Sequence, residues 1–342
     1  MTKIDFILPW VDSSDIKWEK EKEKFALKYN HDDYSSTRFR DLNTLKYVLR
    51  SIEKYCPWYN KIYLITEGHI PIWLDTSYSK IKIITHKELY FNSSHLPTFS
   101  SRSIEMNLAN LKNVSEYIVY LNDDMIMMNP IKIERFFKEG KPVDFLSHGW
   151  IPRNNLFERI KTRDVWIHSL NNNLSLINKK YSVKFSKKYL YSKNYTWKTK
   201  ISNLLLAIFY KKLFWLQHWH HPQPYLMSNI KGVYSQYKNE MLACSSNRFR
   251  KNNDLTQYIY RYWHLIKYNF IPYQYDDGVV AKIESYNYLN NFLPKLKDDK
   301  KIKFLCLNDQ MEYISDDEFE KTKTLLTNYL EKYFPEKSKF EK

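Results

Sequence analysis

The sequence predicts an α/β protein built on a mostly parallel, doubly wound sheet flanked by helices. Three observations carry this. Short apolar runs of strand length alternate with segments of helical periodicity through the first half of the chain. Acidic residues follow directly on several of those runs, at what would be the carboxyl edge of such a sheet. Near the end, one more strand-like run precedes an amphipathic helix.

Taken in order, IDFILPW (4–10) reads as a buried strand ending at Pro9, and a charged helical stretch follows. LNTLKYVLRSIEKY (42–55) has apolar residues at helical spacing and is ended by CPWYN. KIYLIT (61–66) is the next strand, IPIWL a short turn or helix, and KIKIITH (80–86) a further strand. SSRSIEMNLANL (100–111) reads as a helix with serines at its start. YIVYLND is a strand, and DFLSHGW (144–150) is expected to be another. KIKFLCLND (301–309) reads as a buried strand and DDEFEKTKTLLTNYLEKYF (316–334) as the terminal helix.

Composition bounds the function. At 342 residues, 43% hydrophobic and 17% aromatic, the chain buries a large core and is not disordered. Only five glycines occur and no Gly-rich phosphate loop is present. Three cysteines, Cys56, Cys244 and Cys306, have no metal-ligand spacing, and MTKIDFILPW has strand character with no cleavage site. A reducing, cytoplasmic setting is therefore expected. The net charge of +16 is concentrated: Ile151 to Trp215 holds fourteen Lys/Arg against two acids, Glu158 and Asp164. That block is either a solvated basic face or a contact for an anionic membrane, nucleic acid or glycan. Within it, ISNLLLAIFYKKLFWLQHW (201–219) is too interrupted by Lys211 and Lys212 to span a bilayer. It is either an interfacial helix or a buried core helix. The expected organisation is an α/β core over 1–150, a basic aromatic-rich helical insertion over 151–216, and the rest of the core with the C-terminal helix over 217–342.

The chemistry gathers at strand ends. Asp12 follows FILPWV, Asp123 and Asp124 follow YIVYLN, and Asp309 follows FLCLN. A buried carboxylate without a partner is costly, so these acids either hold a hard divalent cation, Mg2+ or Mn2+, or bond to local backbone. Because side chains alternate along a strand, Asp123 and Asp124 are expected to face different ways, one to a metal and one to a structural partner. Ser100, Ser101 and Arg102, with Glu105 a turn later, form a helix start that either binds phosphate or is simply capped. LQHWHHPQPY brings His218, His220 and His221 together; zinc lacks further Cys/His ligands at suitable spacing, and a general base is the alternative. SSNRFRKNND adds Arg248, Arg250 and Asp254, arginines able to clamp a phosphate.

Four blocks together resemble the conserved regions of the Stealth family of hexose-1-phosphate transferases. They are IDFILPWVDSSD; LRSIEKYCPWYNKIYLITEGHIPIWL through SHLPTFSSRSIEMNL to YIVYLNDDM; HHPQPYL through RFRKNND; and FLCLND with FPEKSKFE. That family includes bacterial capsular-polysaccharide phosphotransferases and the catalytic part of the eukaryotic lysosomal-enzyme GlcNAc-1-phosphotransferase. The resemblance covers nearly the whole chain except the basic block, without the spacer modules or membrane spans of the lysosomal members. It implies a GT-A-like (Rossmann-like) core that binds a UDP-sugar, by family default UDP-GlcNAc, and transfers sugar-1-phosphate to a polysaccharide hydroxyl with release of UMP. It also implies that Glu105 and Asp124 are acidic active-site positions. Asn308 is implied as a metal-site position, with Asp309 beside it and Asp123 beside Asp124. The catalytic histidine aligns with His220, or with His221 after a one-residue shift. Arg250 is implied as a phosphate contact and Asp254 as an acid near it, while Asp12, Arg40 and Asp41 sit where the donor nucleotide is expected. Arg102 and Arg248 join this donor set. The compact chain suits a bacterial capsule or cell-wall enzyme on the inner face of the plasma membrane, its basic block on anionic lipid or glycan. The alternatives are a conventional glycosyltransferase releasing UDP, and a non-catalytic membrane- or glycan-binding module. No nucleic-acid recognition motif is present.

Overall fold

The computed structural model describes residues 2–28, 40–149, 165–296, 299–311 and 314–342. Trp150 of the expected 144–150 strand and positions 151–164 of the basic segment lie outside the described residues. Eleven strands are present among the described residues: β1 Ile4–Pro9, β2 Ile62–Thr66, β3 Ile81–Thr85, β4 Tyr117–Tyr120, β5 Met125–Met127, β6 Phe137–Lys138, β7 Lys141–Asp144, β8 Gln223–Leu226, β9 Ile271–Pro272, β10 Gly278–Ile283 and β11 Phe304–Asp309.

The principal sheet has the order β3-β2-β1-β4-β8. Its first four strands are parallel, and β8 closes one edge antiparallel, with Gln223 opposite Tyr120. The α/β class with a mostly parallel sheet is thus the one expected. The chain builds outwards from β1 through β2 to β3, then returns to place β4 on the other side of β1. Such a reversal leaves a crevice at the carboxyl ends of the two central strands, and ligands enter there.

These strands read as apolar runs because both faces of the sheet are covered. Phe6, Leu8, Leu64, Val119 and Leu121 enter one core, shared with Val48, Leu49 and Ile52 of the helix Leu45–Tyr55 and with Leu326 and Leu330 of the helix Asp316–Tyr333. Ile7, Tyr63, Ile65, Ile118 and Tyr120 point the other way, into a core with Leu170, Leu174 and Ile177 of the helix Val165–Lys180 and with the helix Tyr258–Ile266. Each fully buried Leu, Ile or Phe in these layers contributes about 1.5–3 kcal/mol. The N- and C-terminal segments therefore share one core. A second sheet, β10-β11-β5, ties them further, with Cys306 opposite Met125.

Three expectations differ from the structure. The strand expected over 144–150 lies earlier, at Lys141–Asp144. Asp144 is buried, accepting from Arg261 Nε at 2.9 Å and paired with His264 Nε2 at 2.7 Å, and an isolated bridge, His148 to Leu216, follows it among the described residues. The helix expected over 100–111 stops at Glu105, before a short turn Leu108–Asn110. Asn107 breaks it by donating its side-chain amide back to Ser103 O at 2.8 Å, a local bond that competes with the helical ladder. The segment 201–219 is helical only from Trp197 to Phe209, and Lys211 adopts a positive φ of 57° just beyond the end.

Candidate active site

A cavity of about 1060 Å³ opens at the carboxyl ends of β1 and β4, the crevice that the strand order predicts. Asn122, Asp123 and Asp124 form its floor. Both aspartates line it, contrary to the expected alternation, because β4 ends at Tyr120 and the chain turns before β5. Asp124 Oδ2 accepts from Cys306 Sγ at 3.3 Å and lies 3.9 Å from His220 Nε2. Its other oxygen, Oδ1, is buried with no hydrogen-bond partner. Burial, then the charges of Asp124 and Asp41, push the Asp123 carboxyl well above the usual range. Three carboxylates thus face one cavity and repel one another.

Cys306 has no metal-ligand spacing in the sequence, yet the fold brings it against Asp124. Burial and the neighbouring Asp124 push its thiol up, so it stands as S–H and donates to the carboxylate. Strand alternation could have found it: Cys306 and Asn308 are two apart on β11 and share a face.

The three histidines do not converge on one point. His218 Nε2 lies 2.5 Å from Tyr262 Oη, its ring edge-on to Tyr258. His221 Nδ1 sits 3.0 Å from the Pro222 carbonyl and its ring stacks on Phe304. Burial, then the nearby Arg135, pulls the His221 imidazole down to about 3, which leaves it neutral. His220 alone reaches the acids. Burial lowers its pKa, but the Asp124 carboxylate and the Glu105 charge outweigh this and leave it above the ordinary histidine value. Among the described residues, the His/Cys/Asp/Glu cluster able to surround an ion is Asp124, His220 and Cys306, whose ligand atoms lie within 4.8 Å of one another.

The cavity also carries cationic side chains. Arg102 and Arg250 line the cavity beside Ser100 and Ser101. Arg250 Nη2 donates to Ser101 Oγ at 3.2 Å, and Ser100 Oγ is buried with no hydrogen-bond partner. The helix start at Ser101 has no side-chain cap, so the capping alternative does not describe it. Asp254 does not line the cavity. It stands fully buried behind Arg102, 3.4 Å from Nη1, and accepts from Asn247 Nδ2 and the Lys251 amide. Its place is to hold Arg102 rather than to meet a ligand. Arg248 turns away as well, donating to the carbonyls of Ser94, His95 and Pro97 with its guanidinium over Phe25. It fastens a loop and is not part of the cavity wall.

Arg40 pairs with Asp309 at 3.2 Å and donates to Met311 O at 2.6 Å, while Asp309 also accepts from the Met311 amide. Both line the cavity with Asn308 and Asp41. Asp41 accepts from Trp10 Nε1 and the Asn43 amide. Asp12 is outside the wall, its Oδ1 taken by the amide and hydroxyl of Ser14. Glu105 also lines the cavity and is buried, accepting from the Gln257 amide at 2.7 Å and Tyr120 Oη at 3.3 Å. Burial pushes its carboxyl up to about 7 despite Gln257, Arg102 and Arg250.

A cavity lined by acids, a histidine and arginines suits transfer of an anionic group. Known proteins resemble this chain along its length. Residues 38–144 match the model for Stealth protein conserved region 2, and residues 294–342 that for Stealth conserved region 4. The chain is 36% identical to the capsular polysaccharide phosphotransferase WcwK of Streptococcus pneumoniae, across 100% of this chain and 99% of that one. It is 31% identical to the exopolysaccharide phosphotransferase cps2G of Lactiplantibacillus plantarum, over 99% and 96% of the two chains. Among solved structures, it aligns with the galactosyltransferase LgtC in complex with donor and acceptor sugar analogs, over 96% of this chain and 95% of that one, at 9% identity and a TM-score of 0.42. The protein is a transferase of the phosphotransferase class. It belongs to the Stealth family.

Proposed function

We propose that this protein transfers sugar-1-phosphate, GlcNAc-1-phosphate by the family default, from a UDP-sugar to a hydroxyl of a capsular or cell-wall polysaccharide. The observation that carries the reading is that the Asp124–His220 pair, Arg102 and Arg250 all line one cavity. The acceptor oxygen attacks the phosphorus that bears the sugar. The bond from that phosphorus to the oxygen bridging the two phosphates breaks, a phosphodiester forms, and UMP leaves with the electron pair. His220 Nε2 takes the proton of the attacking hydroxyl, and the Asp124 carboxylate stabilises the imidazolium that results. Arg102, fixed by Asp254, and Arg250, placed by Ser101, face the charge that develops on the phosphoryl oxygens.

The acids fit a hard divalent cation. Asp124 Oδ1 lacks a partner, Asp123 is raised by burial and then by neighbouring carboxylates, and the protonated Cys306 thiol argues against a soft thiolate site. Mg2+ or Mn2+ would be held by Asp124, with Asp123 and Asn308 alongside, and would supply charge neutralisation to the diphosphate. Asp309 is already neutralised by Arg40. Three buried, unpaired cysteines support a reducing, cytoplasmic setting.

The nucleotide product tests the reading. With Mg2+ or Mn2+, a UDP-sugar panel and capsule-type oligosaccharides, UMP is expected, formed only when acceptor is present. UDP as the product would mean that the glycosidic bond is the one broken; no turnover with any pair would favour a binding module.

A further inference from the structure

The helix Trp197–Phe209 is built inside out. Its buried positions are Thr199, Ser202, Asn203 and Ala207. Thr199 Oγ1 bonds with Ser147 Oγ, Ser202 Oγ donates to His148 O at 2.7 Å, and Asn203 Nδ2 donates to Leu146 O at 2.6 Å. The outward face carries Trp197, Ile201, Leu205, Ile208 and Phe209, spaced four, four, three and one along the helix. Trp197 is 67% exposed and Phe209 81%. A surface helix of a soluble protein has the reverse pattern, apolar inside and polar outside. Here the inward polar bonds fix the helix to the body while the apolar stripe is left to something else.

Charge says what that is. From Val165 to Trp215 there are ten lysines and no Asp or Glu. Lys198 lies over Trp197, and Lys200 over Tyr191. The neighbouring stretch runs beside the helix, since the Val183 amide donates to Lys211 O at 2.8 Å and Asn203 Nδ2 to Leu190 O. It adds exposed Phe185 between Lys184 and the Lys187–Lys188 pair. An apolar stripe bordered by lysines, with aromatic residues among them, matches a bilayer surface bearing anionic headgroups. A second copy laid face to face would set lysines against lysines. A polyanionic glycan would meet the lysines but leave the apolar stripe in water.

We infer that this face docks the protein on an anionic lipid surface, lying in the interface rather than crossing it. Among the described residues no helix is long and apolar enough to span a membrane. The same strand of chain continues from Lys212 through Leu216 to His218 and His220 of the cavity, so docking holds the cavity near the lipid surface. The inference does not depend on which group is transferred.

The test is flotation of the full chain with vesicles of phosphatidylcholine alone and of phosphatidylcholine with phosphatidylglycerol, with no donor or acceptor present. Binding is expected to the anionic vesicles, to weaken with salt, and to fall about tenfold or more in the Trp197→Ser/Phe209→Ser double variant. Both side chains are exposed, so the variant keeps its circular dichroism and its turnover of a water-soluble acceptor. Absence of binding to anionic vesicles, or equal binding by the variant, would overturn the inference. So would a dimer lost in the variant without vesicle binding, or retention by soluble anionic glycan alone.

Discussion

His220 Nε2 stands 3.9 Å from Asp124 Oδ2, and the adjacent His221 has its Nδ1 3.0 Å from the Pro222 carbonyl. Both line the cavity, yet the two neighbouring imidazoles have different partners, one a cavity acid and the other the ring of Phe304. Their substitutions should separate. His220→Asn removes the proton acceptor and is expected to lower kcat by about 10²- to 10⁴-fold with thermal stability kept. His221→Ala leaves the base in place but removes a buried ring, costing about 2 kcal/mol in urea unfolding. Steady-state kinetics and unfolding on both variants check this, and the reverse pattern would move the base to His221.

The four acids and amides expected at a metal site are not equivalent. Asp124 has an unpartnered oxygen, whereas Asp309 is held by Arg40 and the Met311 amide. Asp124→Asn should weaken Mn2+ binding by about 100-fold and abolish transfer with the fold intact. Asp309→Asn should leave Mn2+ affinity nearly unchanged and destabilise the protein by about 1–3 kcal/mol, because Arg40 is left without its partner. Titration of the free Mn2+ signal by electron paramagnetic resonance distinguishes them. Equal loss in both variants would show that Arg40 yields Asp309 to the ion.

What was legible in the sequence follows from where the physics is local. The central strands β1, β2 and β4 are apolar runs because they are covered on both faces, and the acids after them mark the carboxyl edge whatever the tertiary detail. Strand β8 was not legible, since Pro222 and Pro224 argue against a strand; it is tolerated because β8 forms the sheet edge. Arg248 and Arg250 look alike in RFRKNND, yet one binds loop carbonyls and the other a cavity serine. Nothing local separates them, because the direction of each is set by a distant partner, Pro97 O for Arg248 and Ser101 Oγ for Arg250. The polar inward face of the helix Trp197–Phe209 was hidden for the same reason: its partners, the Ser147 hydroxyl and the carbonyls of Leu146 and His148, lie far back in the sequence.

Glu105 gives the last prediction, and it concerns stability rather than turnover. Its carboxyl is buried against Tyr120 and the Gln257 amide and ionises near pH 7, because burial disfavours the charge more than Gln257, Arg102 and Arg250 favour it. The unfolded chain releases this proton near pH 4.5. Between those values the native state holds a proton that the unfolded state has lost, so stability falls as pH rises through that window and levels off above it. Glu105→Gln cannot titrate and is free of this loss. The stability difference, wild type minus Glu105→Gln, should therefore decrease by about 3 kcal/mol between pH 4.5 and pH 7. Urea unfolding of both proteins across that range measures it. A difference that stays flat would mean that Glu105 is already ionised at pH 5, with the charges of Arg102 and Arg250 outweighing its burial.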